Sequence, residues 1–249
     1  MKKISSIIWE EAKFFVGIFV IVSIISSGAC ANKQEHAKNS AESFDKIART
    51  IFKPIYPLLA LQIKQNYGIT HGICIDVGGG SGNLAIELAK ITDLEVISLD
   101  IDPKATEIAR RYVAASGLSH RVKTVTADVQ KMPLADNVAD LIVSRASYMF
   151  WPNKVKAFKE ILRILKPGGT AFVGSGLGNL LPEDDRRHIQ ELLIEKNIGP
   201  PTESLLDFDK MAIILRQAGI GSFNITADAG CIGALWVEFK KPGPKNIAT

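Results

Sequence analysis

The feature that most limits the possible folds is an alternation, over residues 72–174, of short β-rich apolar runs with amphipathic runs of helical spacing. In chain order these runs are GICIDVG, NLAIELAKI, EVISLDI, PKATEIARRYVAAS, VKTVTAD, ADLIVSRA, KVKAFKEILRIL and TAFVGSG. Strands that are separated by helices form parallel sheets through right-handed crossovers. The alternation therefore predicts a doubly wound α/β fold, with a mostly parallel sheet and helices on both of its faces.

Both ends of the domain depart from this alternation. After a helical run over residues 205–218, the segments SFNITADA and IGALWVEFKK flank a turn at Gly230, which predicts an antiparallel hairpin at the sheet edge. The hairpin brings the expected sheet to seven strands, five from the alternating region and two from the end. Ahead of the alternation, residues 43–69 have helical spacing that Pro54 and Pro57 interrupt, which predicts two helices.

The N-terminus carries an uncharged run over residues 14–31, FFVGIFVIVSIISSGACA, after Lys2 and Lys3. A run of this length is typical of a targeting or membrane-anchoring segment. A cleaved signal peptide, a lipoprotein signal at Cys30, an uncleaved anchor and a buried core helix all stay open. The basic residues that follow the run favour a cytoplasmic main domain. We expect an anchor or signal segment with its linker over residues 1–40 and one folded domain over residues 41–249.

The composition narrows the classes of function. With 47% hydrophobic and 22% charged residues, the 249-residue chain is typical of a globular protein. The net charge of +4 is scattered along the sequence, so no nucleic-acid partner is indicated. The three cysteines lack metal-binding spacing, which predicts neither a metal site nor a disulfide framework. The oligomeric state is not predicted.

The stretch CIDVGGGSGN, residues 74–83, ends the first predicted strand in a cluster of glycines. Glycine is costly in regular structure, and ligands bind at the carboxyl ends of the strands in open α/β sheets. We therefore expect a ligand to lie against this bare backbone, with an anionic group at the N-terminus of the next helix. Residues 80–85, GSGNLA, with Asp100 about 20 residues further on, also fit the dinucleotide pattern, which leaves a nicotinamide cofactor open.

Asp76, which precedes the glycines, completes the pattern D-x-G-x-G-x-G. This pattern resembles the first motif of the class I S-adenosylmethionine-dependent methyltransferases, and the chain is most similar to their type 11, ubiquinone and menaquinone methyltransferase-like group. A carboxylate at this position suits the positive charges of S-adenosylmethionine better than the pyrophosphate of a dinucleotide. The resemblance implies a Rossmann-like fold and a methyltransferase domain over residues 41–249.

Further motifs carry the resemblance from Gly72 to Gly174. In VISLDID, it implies that Asp100 binds both ribose hydroxyls and that Ile101 packs on the adenine. In TADVQKMPL, it implies that Asp128 accepts a hydrogen bond from the adenine amine and that the Val129 N–H contacts the ring. The cofactor-binding residues expected in full are Asp76, Gly78, Gly79, Gly80, Gly82, Asn83, Asp100, Ile101, Asp128, Val129 and Ser144.

The resemblance implies methyl transfer by in-line displacement, with S-adenosyl-L-methionine as donor and S-adenosyl-L-homocysteine as product. Such a reaction depends mainly on alignment and the exclusion of water, so no catalytic residue is assigned. The expected acceptor is a small molecule, lipophilic if residues 14–31 hold the enzyme at a membrane. The alternatives are an NAD(P)-dependent oxidoreductase and a non-catalytic module that binds S-adenosylmethionine.

The loop SRASYMFWPN, after the fourth predicted strand, is the best candidate for the acceptor site. Its candidate residues are Arg145, Ser147, Tyr148 and Trp151, which together suit a partly apolar or anionic acceptor. Aromatic residues in such a loop can instead close the core, and Arg145 can instead pair with Asp140. A second glycine cluster, GSGLGN at residues 174–179, is interpreted as either a flexible substrate loop or a tight turn whose amides meet an acceptor oxygen.

Overall fold

The computed structural model describes residues 40–199, 207–228 and 234–243. The chain divides into two units, Met1–Ser40 and Ala41–Thr249. The predicted anchor or signal segment at residues 14–31 lies outside the described residues. Within the described ranges, no helix is both long enough and apolar enough to cross a membrane.

Seven helices and seven strands make up the described part of the second unit. The helices are α1 (Ala41–Thr50), α2 (Ile55–Tyr67), α3 (Asn83–Ile91), α4 (Pro103–Ala115), α5 (Lys154–Ile164), α6 (Glu183–Glu195) and α7 (Phe208–Gln217). The strands are β1 (His71–Val77), β2 (Asp93–Asp100), β3 (Val122–Thr126), β4 (Ala139–Arg145), β5 (Leu165–Gly174), β6 (Asn224–Ala227) and β7 (Leu235–Lys240). A single turn of 3-10 helix, Tyr148–Phe150, follows β4.

The seven strands form one sheet in the order β3-β2-β1-β4-β5-β7-β6. The first five strands pair in parallel, whereas β7 is antiparallel to both β5 and β6. The Rossmann-like sheet and its C-terminal hairpin are therefore confirmed. Because the strand order reverses between β1 and β4, a crevice opens at their carboxyl ends.

Local sequence signals explain where several helices begin and end. The Asp102 side chain accepts a hydrogen bond from the Lys104 N–H, and Pro103 occupies the first turn of α4. Asn153 caps α5 in the same way. Gly68 ends α2 in the left-handed conformation, with a φ of 64°. These caps fix where the helices begin and end, and so where the connecting loops start.

Helices cover both faces of the sheet, as predicted. On one face, Phe158 and Ile161 of α5 pack with Met211 of α7 against the sheet. On the other face, α2, α3 and α6 pack together, with Leu59 and Leu88 fully or almost fully buried. The parallel strands supply side chains to both clusters, which is why they are apolar almost throughout.

The two N-terminal helices form as predicted, with the break at residues 51–54. Pro57 lies in the first turn of α2, where a missing backbone donor is tolerated. Ile55 and Leu59 of α2 are buried against the sheet side of the domain. This packing holds the start of α2 next to the crevice.

Candidate active site

The glycine loop that follows β1 lies at the crevice and has the backbone that the sequence predicts. Gly78, Gly80 and Gly82 have φ angles of 66°, 55° and 78°, a region that side chains other than glycine rarely adopt. The Gly78 N–H donates to the Leu99 carbonyl at 2.7 Å, which ties the loop to the end of β2. A side chain added at Gly80 would meet open space, so this part of the backbone faces the crevice.

Asp76 lies beneath the loop and is only 2% exposed. The Ala85 N–H donates to its carboxylate, but its Oδ2 atom is buried and has no hydrogen-bond partner among the described residues. Burial raises the pKa of Asp76 to about 7, and the nearby Asp100 carboxylate raises it as well. The absent Gly79 side chain leaves room beside it, because a Cβ there would lie 2.9 Å from this oxygen. Among the described residues, no cation or further donor compensates the charge on this oxygen.

Asp100 ends β2, where the backbone holds its carboxylate in place. Its Oδ2 accepts from the Gly80 N–H at 2.8 Å, and its Oδ1 accepts from the Asp102 N–H at 3.0 Å. Burial raises the pKa of the Asp100 carboxyl, while these N–H donors lower it. Ile101 beside it is 65% exposed. Asp100 and Ile101 thus place a carboxylate and an exposed apolar side chain next to each other.

Three further predicted cofactor residues lie around the same edge. Asp128 follows β3, and the Gln130 backbone N–H and side-chain amide both donate to its carboxylate, at 2.8 to 3.2 Å. Val129 is buried in the core beside it. Asn83, the first residue of α3, donates to the Ser81 hydroxyl at 2.9 Å. The assignment of these side chains to a cofactor remains a prediction.

Ser144 and Ser147 join the loop after β4 to the glycine loop. Their hydroxyl oxygens are 2.6 Å apart, and the Ser147 hydroxyl also donates to the Val77 carbonyl at 3.2 Å. A side chain at Gly78 would collide with Ser147, so glycine is required here for close approach. Both serines therefore have a structural role between β1 and β4, beside the predicted role of Ser144 toward the cofactor.

Two of the acceptor candidates lie in the hydrophobic core. Tyr148 is fully buried, with its hydroxyl oxygen 3.5 Å from that of Ser175. Trp151 is also buried and packs edge-to-face on Phe158. Phe150, in contrast, is 52% exposed at the mouth of the crevice. The interpretation that aromatic residues close the core describes Tyr148 and Trp151, and an acceptor role for them stays untested.

Arg145 lies between the ring faces of two residues that the sequence did not point to. Its guanidinium carbon is 4.3 Å from the ring centre of Phe52 and 5.5 Å from that of Tyr56. The expected alternative, a pair with Asp140, is wrong, since Asp140 binds Lys166 at 2.7 Å. Arg145 is thus held at the end of β4 by the start of α2, next to the crevice.

Tyr56 and Phe52 enter the site only through tertiary packing. Burial raises the pKa of the Tyr56 phenol, Arg145 lowers it, and the carboxylates of Asp76 and Asp45 raise it. Tyr56 is therefore close to charged groups from β1, β4 and α1. The helical spacing of residues 43–69 is the only sequence signal for this segment, and it concerns packing, not chemistry.

Close contacts with β7 require glycine at two positions of the second glycine cluster. A Cβ at Gly174 or Gly176 would collide with the Trp236 ring, which stacks on Phe172 with ring centres 4.3 Å apart. The cluster therefore forms a packed turn in this structure. Its tight-turn interpretation fits the geometry better than a flexible loop does.

A buried ion pair holds this turn. Arg186 of α6 pairs with Asp228, which follows β6, and also donates to the Gly178 carbonyl. The Asp228 carboxylate accepts from the Gly178 N–H at 2.8 Å and from the Trp236 indole at 2.9 Å. The Gly178 amide is therefore occupied by Asp228 and is not open to an acceptor oxygen. Sequence reasoning missed this network because its members lie on three separate elements.

The described histidines lie away from the crevice. His71 begins β1 and His120 precedes β3, so both lie at the opposite edge of the sheet, and His188 is exposed on α6. Cys74 is buried within β1, and burial raises the pKa of its thiol, as befits a packing residue. Over the same described ranges, no three His, Cys, Asp or Glu side chains are grouped closely enough to hold a metal ion.

The fold and this constellation define a class of protein. A Rossmann-like sheet with a glycine loop, a buried carboxylate beneath it and a second carboxylate at the end of β2 is a site for a nucleoside-containing cofactor. Comparisons with known proteins narrow the class. A family model described as a methyltransferase domain, of type 11, matches residues 75–173.

Relatives of known structure and sequence agree. A crystal structure from Methanococcus maripaludis, proposed to be an S-adenosyl-L-methionine-dependent methyltransferase, is 37% identical. The match has a TM-score of 0.75 and covers 84% of this chain and 95% of that one. The chain belongs to the class I S-adenosylmethionine-dependent methyltransferases, and its suspected membership is confirmed.

Among curated proteins, the chain is similar to two sterol methyltransferases. It is 28% identical over 171 residues to a sterol 24-C-methyltransferase of Aspergillus fumigatus, covering 67% of this chain and 45% of that protein. It is 35% identical over 120 residues to a sterol 4-C-methyltransferase of Caenorhabditis elegans, covering 48% of this chain and 36% of that protein. The chain thus spans less than half the length of these curated relatives.

Proposed function

We propose that this protein binds S-adenosyl-L-methionine and transfers its methyl group to a small-molecule acceptor. The observation that carries the proposal is the buried Asp76 carboxylate beneath an open glycine loop, whose Oδ2 has no hydrogen-bond partner within the described ranges. A carboxylate at this place suits the ammonium of S-adenosylmethionine and opposes the pyrophosphate of a nicotinamide dinucleotide. Family membership favours the same choice.

The cofactor would supply an electrophilic methyl group on a sulfonium. The chain's own residues would bind and orient it: the Gly78–Gly82 backbone along the methionine end, Asp100 at the ribose and Ile101 at the adenine. An electron pair of the acceptor would form the new bond to the methyl carbon as the carbon–sulfur bond breaks, and the donor would leave as neutral S-adenosyl-L-homocysteine. An acceptor that carries a proton on the attacking atom loses it to water or to its own neighbouring groups. Alignment and the exclusion of water then provide most of the rate enhancement.

The acceptor pocket would be formed where α2 meets the end of β4. Phe52 and Tyr56 offer apolar ring surface, and Arg145 between them offers a cation. This combination suits an acceptor with an apolar body and an anionic or strongly polar group. The sterol methyltransferases among the relatives act on lipophilic molecules, which supports the apolar part. Association with a membrane through residues 14–31 remains a prediction.

Calorimetric titration of the full-length chain in mild detergent tests the proposal. We expect S-adenosyl-L-methionine and S-adenosyl-L-homocysteine to bind and NADH to give no heat of binding. Binding of NADH alone would refute the proposal in favour of an oxidoreductase. A donor with a radiolabelled methyl group, incubated with sterols, phenolic quinone precursors and long-chain carboxylates, then tests transfer. Donor binding without transfer to any of them would favour a non-catalytic module.

A further inference from the structure

Helix α1 crosses the crevice above the glycine loop. On one side, Ala41 packs with Ala105 and Ile108 of α4, which begins just after β2. On the other side, Phe44 packs edge-to-face on Phe150, in the loop after β4, with ring centres 6.1 Å apart. In the sheet order, β1 lies between β2 and β4. A helix that contacts the elements following both of these strands must pass over the carboxyl end of β1, where the glycine loop lies.

Asp45 lies in the middle of this helix, and one of its two carboxylate oxygens has a hydrogen-bond partner. Its Oδ2 accepts a hydrogen bond from the Tyr112 hydroxyl of α4 at 2.9 Å. Its Oδ1 is buried and has no hydrogen-bond partner. Arg49, one turn further along α1, lies 3.6 Å above the Tyr112 ring. Tyr112 therefore holds the Asp45 carboxylate in a fixed position, and the second oxygen accepts no hydrogen bond from the described residues.

Asp45 and Asp76 form a pair in this respect. Across the described ranges, Asp45 Oδ1 and Asp76 Oδ2 are the two buried side-chain oxygen or nitrogen atoms without a partner. The carboxylates of both residues raise the pKa of the Tyr56 phenol, so both lie within electrostatic range of that phenol. An enclosed carboxylate oxygen without a hydrogen-bond donor is costly, and a positively charged ligand would reduce that cost.

We propose that Asp45 is a second carboxylate of the cofactor site and that its Oδ1 accepts a hydrogen bond from the ammonium of S-adenosylmethionine. The inference rests on the proposed function. In this arrangement, β1 supplies Asp76 from beneath the glycine loop and α1 supplies Asp45 from above it. The ammonium would be held between the two carboxylates. The cofactor then fastens α1 over the crevice, which excludes water from the reacting groups.

The test compares three ligands that differ at the proposed contact. S-adenosyl-L-methionine and S-adenosyl-L-homocysteine both carry the ammonium, whereas 5′-methylthioadenosine lacks the whole amino-acid end. In the full-length chain, Asp45→Asn should weaken binding of the first two by the same factor, roughly 10- to 100-fold, the range for a hydrogen bond to a charged group. Binding of 5′-methylthioadenosine should stay within about twofold of wild type, since the contact that is lost lies elsewhere.

Glu42→Gln is the matched control, because it removes an exposed carboxylate from the same helix, 4.0 Å from Lys104. This variant should bind all three ligands as wild type does. Wild-type affinity in Asp45→Asn, or an equal loss for 5′-methylthioadenosine, would overturn the inference and leave Asp45 a structural partner of Tyr112. A loss confined to S-adenosylmethionine would also overturn it, since the contact would then be to the sulfonium. If wild type binds none of the three, the proposed function fails with it.

Amide hydrogen exchange provides a second readout. In wild type, S-adenosyl-L-homocysteine should slow exchange in residues 41–50, and 5′-methylthioadenosine should do so much less. Asp45→Asn should remove the difference between the two ligands. Equal protection by both ligands in wild type would contradict the fastening of α1 through the ammonium.

Discussion

At the scale of single residues, the Asp76 carboxyl combines a structural cost with the binding role proposed for it. A carboxyl that is 2% exposed with one unpartnered oxygen destabilises the ionised form of the empty protein, which is why its pKa rises to about 7. With a pKa of about 7, this carboxyl is partly protonated near neutral pH when no cation lies beside it. A cationic ligand would favour the ionised form and release the proton.

The affinity for S-adenosylmethionine should consequently depend on pH through Asp76. The ionised carboxylate is the form that attracts the ammonium, so affinity should fall as pH drops through about 7, approaching a tenfold loss per pH unit below it. Calorimetry between pH 5.5 and 8, in two buffers with different ionisation enthalpies, would measure both the affinity and the released proton. In Asp76→Asn, binding should be weak and nearly independent of pH. A wild-type affinity that is flat over this range would contradict the assignment.

At the scale of elements, the Arg186–Asp228 pair joins α6 to the end of β6 and to the turn after β5. Both side chains are nearly inaccessible to solvent, so each charge depends on the other for compensation. The turn they hold also reaches the acceptor side, since the Gly176 carbonyl accepts from Arg145 Nε at 3.2 Å. The ion pair thus supports the turn that contacts Arg145, the predicted acceptor residue.

Asp228→Asn should lower the free energy of unfolding by about 3–5 kcal/mol, because Arg186 would remain buried without its partner. Urea denaturation of the full-length chain, followed by tryptophan fluorescence, measures this change. Arg187→Gln is the control: it lies next to Arg186 on α6, and its contacts with Glu183 and Asp184 are exposed. That variant should change the free energy by less than about 1 kcal/mol. Similar small effects in both variants would show that the buried pair is not required.

At the scale of the whole molecule, the site is assembled from segments that fold together. In the proposed site, the glycine loop, the ends of β2 and β4, and helices α1 and α2 would all contribute groups to one crevice. A ligand that contacts all of them binds the folded state alone, and so it should stabilise the entire domain.

S-adenosyl-L-homocysteine at about 100 times its dissociation constant should add about 2.7 kcal/mol to the free energy of unfolding. For a domain of this size, the unfolding midpoint should rise by roughly 5–10 °C. Thermal unfolding followed by circular dichroism measures the shift, with NADH at equal concentration as the negative control. An equal shift with NADH would argue against the methyltransferase assignment.

The amino-acid sequence by itself determined the features that depend on neighbouring residues. The alternation of strands and helices, the positive φ at Gly78, Gly80 and Gly82, and the position of Asp76 and Asp100 at strand ends follow from local pattern. Parallel strands bring their carboxyl ends to one edge, so these local features also predicted where the site lies.

Only the tertiary structure decided which side chains from distant segments face one another. Tyr148 and Trp151 share a loop with Arg145, yet they are buried, whereas Arg145 lies between Phe52 and Tyr56, about 90 residues earlier in the chain. The helical spacing of α1 does not show that Asp45 Oδ1 is buried without a partner, because that depends on how α1 packs against the rest of the domain. Local pattern sets the conformation of a segment, but the partner of a buried charge is set by the packing of whole elements, since burial and compensation are properties of the assembled core.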